Sequence, residues 1–269
     1  MTVDVWWLAY LALGAFAGFM AGLLGVGGGA IMVPVLAVIF SASGIPAEHV
    51  LHLALGTSMA TIIFTAWSSL RTHNAHGAVI WDVVLAFSPG IIVGTLLGAL
   101  IAAHVSSRGL AIFFAVFISL VAIQMGFNLK PKANRELPGN AGLVGVGTGI
   151  GFVSALAAIG GGSMTVPYLS WCNVPVHRAI GTSAAVGMPI AISGTVGYLW
   201  SGWGQSGLPA GSLGYVFLPP LAFLVVMSMA TAPFGARLAH RLPVPTLKRA
   251  FSLVLILLSG KMLWSVFHA

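Results

Sequence analysis

The residues best placed to do chemistry are two glycine triplets. Gly27-Gly28-Gly29 is followed by Pro34, and Gly160-Gly161-Gly162 by Pro167, each triplet lying inside an apolar stretch. Backbone amides interrupted there find no partner in lipid, so such a break must be buried in protein or line a wet cavity. Residues after the break begin a new helix whose first N–H groups are unpaired and carry partial positive charge, which is the chemistry of an anion site. Gly27 to Ala30 and Gly160 to Ser163 are therefore the primary candidates for binding an anionic substrate. The competing reading is tight helix crossing, the role expected of Gly14, Gly18 and Gly22 and of Gly94 and Gly98 at four-residue spacing. Two Gly-Thr-Ser stretches add Thr57, Ser58, Thr182 and Ser183, hydroxyls able to ligate an oxyanion without adding charge. Their alternative is a bond to their own helix backbone. His52 and His177 stand four residues, about one helical turn, before these stretches and can supply a switchable positive charge for gating or proton coupling. Arg178 follows the second histidine where Leu53 follows the first, and reads either as a gate for substrate or as a basic anchor at the membrane surface.

These motifs recur in one order. Gly27 to Leu36 matches Gly160 to Leu169 at a constant offset of 133, and His52 to Ser58 matches His177 to Ser183 at an offset of 125. Two ordered matches mark two homologous halves, residues 1–127 and 141–269, joined by a hydrophilic linker over 128–140 that carries Lys130, Lys132, Arg135 and Glu136.

The elements that must position the motifs are membrane spans. Only 15 of the 269 residues are charged, 58% are hydrophobic, and the mean hydropathy is +1.03. That is too little charge to coat a soluble globule, and a soluble enzyme is excluded. Eight stretches are long enough to cross the hydrocarbon core, beginning near Val5, Val50, Ala78, Gly109, Ala141, Ala179, Leu213 and Leu247. Two more, Ala30 to Ser41 and Ser163 to Cys172, have about half the required length. The fold class is thus an all-α polytopic membrane protein, each repeat holding three spanning helices and a glycine-broken pair, either two passes or a re-entrant hairpin.

Charge placement orients the halves. The net charge of +7 is spread singly between apolar runs, which marks topology and gives nucleic acid no continuous footprint. Five segments per half place Arg71, Lys130, Lys132, Arg135, Arg178, Arg237, Arg241, Lys248 and Arg249 on or near the cytoplasmic side, with Arg108, Lys261 and Glu48 outside. An odd number of segments per half makes the repeats inverted, the architecture of secondary transporters. The start of the chain has no basic residue before its apolar stretch and no cleavage-like end, so it is expected to stay in the mature protein.

Absent motifs narrow the chemistry. Asp4, Glu48, Asp82 and Glu136 sit at termini, loops or helix ends, which speaks against a carboxylate relay within the membrane. Cys172 stands alone, so neither an intrachain disulfide nor a thiolate metal site can form. No zinc-protease or phosphate-loop motif occurs, and no cofactor or metal is expected. The expected partners are a small anion and the lipid bilayer. A passive anion channel would share the amide-lined site, and an intramembrane enzyme would need a pair such as Ser163 with His177.

With these residues in view, the chain resembles the sulfite exporter TauE/SafE family, also called the toluene-sulfonate uptake permease family. The resemblance covers both halves and rests on Gly25-Val26-Gly27-Gly28-Gly29 with Pro34, on Ile159-Gly160-Gly161-Gly162 with Pro167, and on the paired Gly-Thr-Ser stretches. It implies transport of sulfur-containing anions such as sulfite, sulfonates or sulfoacetate across a bacterial plasma membrane. Ala158 departs from the pattern where the first copy has Gly25.

Overall fold

The computed structural model describes residues 3–25, 27–127, 135–239, 241 and 244–268. Lys130 and Lys132 of the expected linker, and Val26 of the first glycine motif, lie outside the described residues. Ten helices follow in order: α1 Val3–Leu24, α2 Gly29–Ala42, α3 Ala47–Ala75, α4 Trp81–Ala102, α5 Ser107–Gly126, α6 Asn140–Ala157, α7 Gly162–Trp171, α8 Val176–Ser201, α9 Leu218–Ala239 and α10 Val244–His268. Seven of them, all but α2, α7 and α10, are long and apolar enough to cross a membrane within their described residues, and α10 has a described apolar core over Phe251–Trp264. At 14 and 10 residues, α2 and α7 reach only about 21 and 15 Å, half to two-thirds of the hydrocarbon core. Leu85, Leu97, Val226, Leu253 and Leu257 are exposed, as lipid-facing side chains must be. The chain is a multi-pass membrane protein.

Helix boundaries depart from hydropathy in two places. Helix α3 runs past its apolar centre at both ends, because Arg71, Thr72, His73 and Asn74 continue a helix that an apolar window cannot see. The span expected from Leu213 begins only at Leu218. Gly211 and Gly214 adopt φ of 88° and 51°, a left-handed backbone suited to turns, and a short hairpin pairs Ser212–Leu213 (β1) with Val216–Phe217 (β2) instead.

Small residues set the packing. Along α1, a methyl group on Gly14, Gly18 or Gly22 would run into the backbone of Leu224, Ser228 or Ala232 on α9. Along α4, Gly90, Gly94 and Gly98 meet Val144, Thr148 and Phe152 of α6 in the same way. The rising numbers on both sides show that α1 runs parallel to α9, and α4 parallel to α6. By contrast α3 and α8 are antiparallel: Gly56 near the start of α3 packs on Tyr215 and Tyr198 beyond and at the end of α8, while Gly181 near the start of α8 packs on Ala78 beyond α3. Helices α5 and α10 are antiparallel too, since Gly126 lies against Ser252 and Ser119 bonds Ser259. Exchanging α1–α5 with α6–α10 carries the α1–α9 pair into the α4–α6 pair and each antiparallel pair into itself.

Two ends of the molecule follow. Tyr10, Ser43 to Pro46, Gly207 and Phe217 line one pocket, so the start of α1, the end of α2, the start of α3 and the hairpin share an end. The opposite end gathers Ala78, the start of α8 and the end of α7, where the Arg135 amide donates to the Trp171 carbonyl and Asn173 Nδ2 donates to the Arg135 carbonyl. Arg71, Arg135 and Arg178 all belong to this second, basic end.

Candidate functional site

Both glycine breaks have the same local cause. Gly28 and Gly161 cap α2 and α7 with φ of 82° and 81°, a conformation that costs a side-chain-bearing residue about 1–2 kcal/mol. The Gly28 carbonyl takes the amides of Ile31 and Met32, and the Gly161 carbonyl those of Met164 and Thr165. The amides of Gly29 and Ala30, and of Gly162 and Ser163, are left without an acceptor in their own helix. Five residues on, Pro34 and Pro167 have no N–H to offer the Ala30 and Ser163 carbonyls, so the break extends into the second turn.

Ala158 follows the glycine pattern in conformation although not in identity. Its φ of 45° and ψ of 47° put it in the left-handed region occupied by Gly25, its counterpart, at φ 69°. The bend is held by surroundings in place of residue preference, for Ala158 is fully buried and its carbonyl oxygen abuts Gly29 of the other half.

The structure brings the two breaks into contact. A methyl group on Gly27 would come within 2.7 Å of the Gly160 Cα, and one on Gly160 within 2.9 Å of the Gly27 Cα. Three further triplet glycines are tightly packed as well: Gly28 lies on Ala17 of α1, Gly29 on Ala158, and Gly161 on Ile190. Ile62 of α3 packs on one side of the crossing, within contact distance of a methyl group placed on Gly27, Gly29 or Gly160. Beside the crossing lies a water-sized cavity of ≈10 Å³, lined by Gly25, Gly27 and Gly160 together with Thr65, Ser69 and Gly187.

The hydroxyl motifs divide. Thr57 Oγ1 accepts from the Phe217 amide at 2.9 Å, and Thr182 Oγ1 from the Ile80 amide at 3.0 Å. In each half the threonine thus holds the chain that leads into α9 or α4. Ser183 Oγ donates to the Gly25 carbonyl at 3.2 Å, tying the second half to the first break. Ser58 and Ser163 are buried with unpartnered hydroxyls. Ser163 is accordingly not hydrogen-bonded to His177, and that particular nucleophile–base pair is not formed.

The histidine pair is not equivalent in space. His52 is buried at the hairpin end, its Nε2 3.1 Å from the Ala102 carbonyl and its Nδ1 3.1 Å from the Glu48 carbonyl and 3.2 Å from Ser107 Oγ. Its ring stacks on Tyr215 at 4.9 Å. His177 and Arg178 are exposed at the basic end, across the molecule from His52. None of the three lines the central cavity.

Sequence reasoning missed the α3 face beside the crossing. Thr57, Thr61, Thr65, Ser69 and His73 recur every four residues and are all buried. That spacing is one helical stripe, and a polar stripe on a membrane helix points inward. Among the described residues no cluster of His, Cys, Asp or Glu converges as a metal site would require.

Known proteins are similar to this chain in sequence. A "Probable membrane transporter protein" of Haemophilus influenzae is 35% identical over 257 residues, covering 95% of this chain and 97% of that protein. The "Probable membrane transporter protein YunE" of Bacillus subtilis is 28% identical over 214 residues, 71% of this chain and 78% of that one. A probable membrane transporter protein of Methanocaldococcus jannaschii is 25% identical over 248 residues, 91% of each. No solved structure matches. The family model of the sulfite exporter TauE/SafE family matches residues 10–262, a stretch that holds both glycine breaks, both Gly-Thr-Ser motifs and the crossing between them. By that match and those relatives, the chain belongs to the sulfite exporter TauE/SafE family.

Proposed function

We propose that the protein is a secondary transporter that moves small sulfur-containing oxyanions, of the sulfite, sulfonate or sulfoacetate type, across the bacterial plasma membrane by alternating access. The observation that carries this reading is the contact of the two glycine breaks beside a central cavity. The loops leading into two helix starts with unpaired amides touch there, and an oxyanion entering a widened cavity can be held by backbone dipoles without a fixed positive charge. Among the hydroxyls of the duplicated motifs, Ser58 and Ser163 have donors to spare. The antiparallel pairings of α3 with α8 and of α5 with α10 support inverted repeats. Rocking one half against the other about the glycine crossing then exposes the site to each end in turn. Basic residues at the Arg71 end favour that end as cytoplasmic.

The test is counterflow. Proteoliposomes preloaded with unlabelled sulfite should take up external labelled sulfite transiently above equilibrium, with a saturable initial rate. A linear, non-saturating flux without overshoot would identify a passive channel instead. A second result is expected at the caps. Alanine at Gly28 would force a methyl group to within 2.9 Å of the Ala17 carbonyl, and at Gly161 within 2.7 Å of Ile190 Cδ1. Each shifts the amides that face the anion. The loss of one charge-assisted hydrogen bond, about 1.5–3 kcal/mol, should weaken sulfite binding to folded protein roughly 10- to 150-fold. Unchanged affinity in both variants would move the anion away from the breaks.

A further inference from the structure

The central cavity is one-sided. On α3, Ile62, Ala66, Ser69 and His73 follow at steps of four, three and four residues and so lie on one face. Ile62, nearest the hairpin end, is fully buried and packs against both breaks. One turn toward the basic end its place is taken by Ala66 and Ser69, which line the cavity. One turn further stands His73, fully buried, with Nε2 3.1 Å from the Gly22 carbonyl of α1. The face is specific to the first half: its counterparts on α8, at the offset of 125, are Gly187, Ala191, Gly194 and Tyr198.

Ser69 is the informative member. It is 2% exposed, its Oγ has no hydrogen-bond partner, and it borders the cavity shared by Gly27 and Gly160. A buried hydroxyl left unpaired costs about 1–3 kcal/mol, so a ligand that accepts its proton gains correspondingly. Thr65, its neighbour on the cavity wall, already donates to Ser228 Oγ at 3.0 Å and to the Thr61 carbonyl at 3.1 Å. The volume of ≈10 Å³ holds about one water and no larger anion, so the cavity must widen to be occupied. Ile62, one turn toward the hairpin end, packs on the crossing glycines beside it, and the α3–α1 closure by His73 and Gly22 lies toward the basic end.

We propose that Ser69 Oγ is a ligand of the transported oxyanion, and that His73, bonded to the Gly22 carbonyl, is the gate through which the site opens to the basic end. The proposal rests on the transport reading above and adds a binding residue and a route to it. The gate works by geometry: releasing one hydrogen bond lets α1 and α3 part below the cavity.

The experiment has two arms on purified full-length protein. In the first, sulfite and sulfoacetate are titrated calorimetrically against wild type, Ser69→Ala and Ser154→Ala. Ser154 is also buried with an unpartnered hydroxyl but does not line the cavity, and serves as the control. Ser69→Ala should weaken binding by about 10- to 100-fold with its melting temperature retained, while Ser154→Ala binds as wild type. In the second arm, Ser69→Cys in a Cys172→Ser background is labelled with N-ethylmaleimide, which the closed cavity is too small to admit. Adding His73→Ala should speed labelling at least tenfold, whereas His73→Gln, which keeps a donor for Gly22, should label at the parental rate. Wild-type affinity in folded Ser69→Ala, or equal labelling with and without His73→Ala, would overturn the proposal while leaving the transport reading intact. Failure of wild type to bind either anion would overturn both.

Discussion

Alanine at Gly27 or Gly29 is expected to abolish transport and to lower the stability of the protein, by about 1–3 kcal/mol at Gly29 and by more at Gly27. At Gly29 the backbone is helical and alanine would ordinarily be welcome. The obstacle is tertiary: the Ala158 carbonyl oxygen occupies the space a methyl group needs, and that oxygen belongs to the backbone of the other half, which cannot rotate aside. Inserting bulk into so close a contact costs about 1–3 kcal/mol. At Gly27 the same overpacking, against Gly160, is joined by a left-handed φ of 82° that costs a further 1–2 kcal/mol or so. Gly149 on α6 is the comparison, for nothing lies within 4 Å of a methyl group there, and Gly149→Ala should be neutral or slightly stabilising. Thermal melting in detergent and sulfite counterflow check both readings. A Gly29→Ala protein that melts and transports like wild type would show that the halves do not pivot on this contact.

How much of this was legible in the sequence depends on whether the signal is local. The short helices were legible: expected at Ala30 to Ser41 and Ser163 to Cys172, they form at Gly29–Ala42 and Gly162–Trp171, because a glycine that must turn left-handed and a proline five or six residues later punctuate the chain by their own stereochemistry. So was the division of glycines into breaks and packing seams, since four-residue spacing in a span has one geometric use. The partners of the hydroxyls were not. Nothing near Thr57 or Thr182 in sequence foretells Phe217 or Ile80, which lie 160 and 102 residues away. His52 and His177 looked equivalent because duplication preserves residue types. Burial is decided by what packs on them, and only His52 is covered by Tyr215 and the end of α4. Ser69 and His73 carry no such signal for the opposite reason: duplication marks what the halves share, and the stripe on α3 is what they do not.

The threonines carry the second large effect, and it should fall on stability. Thr57 and Thr182 each give a side-chain acceptor to a backbone amide in the segment that turns into α9 or α4. Both threonines are fully buried. Valine keeps the shape and removes the acceptor, stranding the amide of Phe217 or Ile80, and an unsatisfied buried amide costs about 1–3 kcal/mol. Thr57→Val and Thr182→Val should therefore each lower the melting temperature, and the double variant should approach the sum, about 2–6 kcal/mol, because the two bonds share no partner and sit at opposite ends of the antiparallel α3–α8 pair. Sulfite affinity of the folded fraction should stay within a few-fold of wild type, since neither side chain lines the central cavity. Serine at either position, which restores an acceptor, should recover most of the loss, and that rescue separates the hydrogen bond from simple packing. If instead the valine variants melt normally and lose binding, the threonines ligate the anion directly, and the Gly-Thr-Ser motif is a binding signature where its geometry reads as a strut.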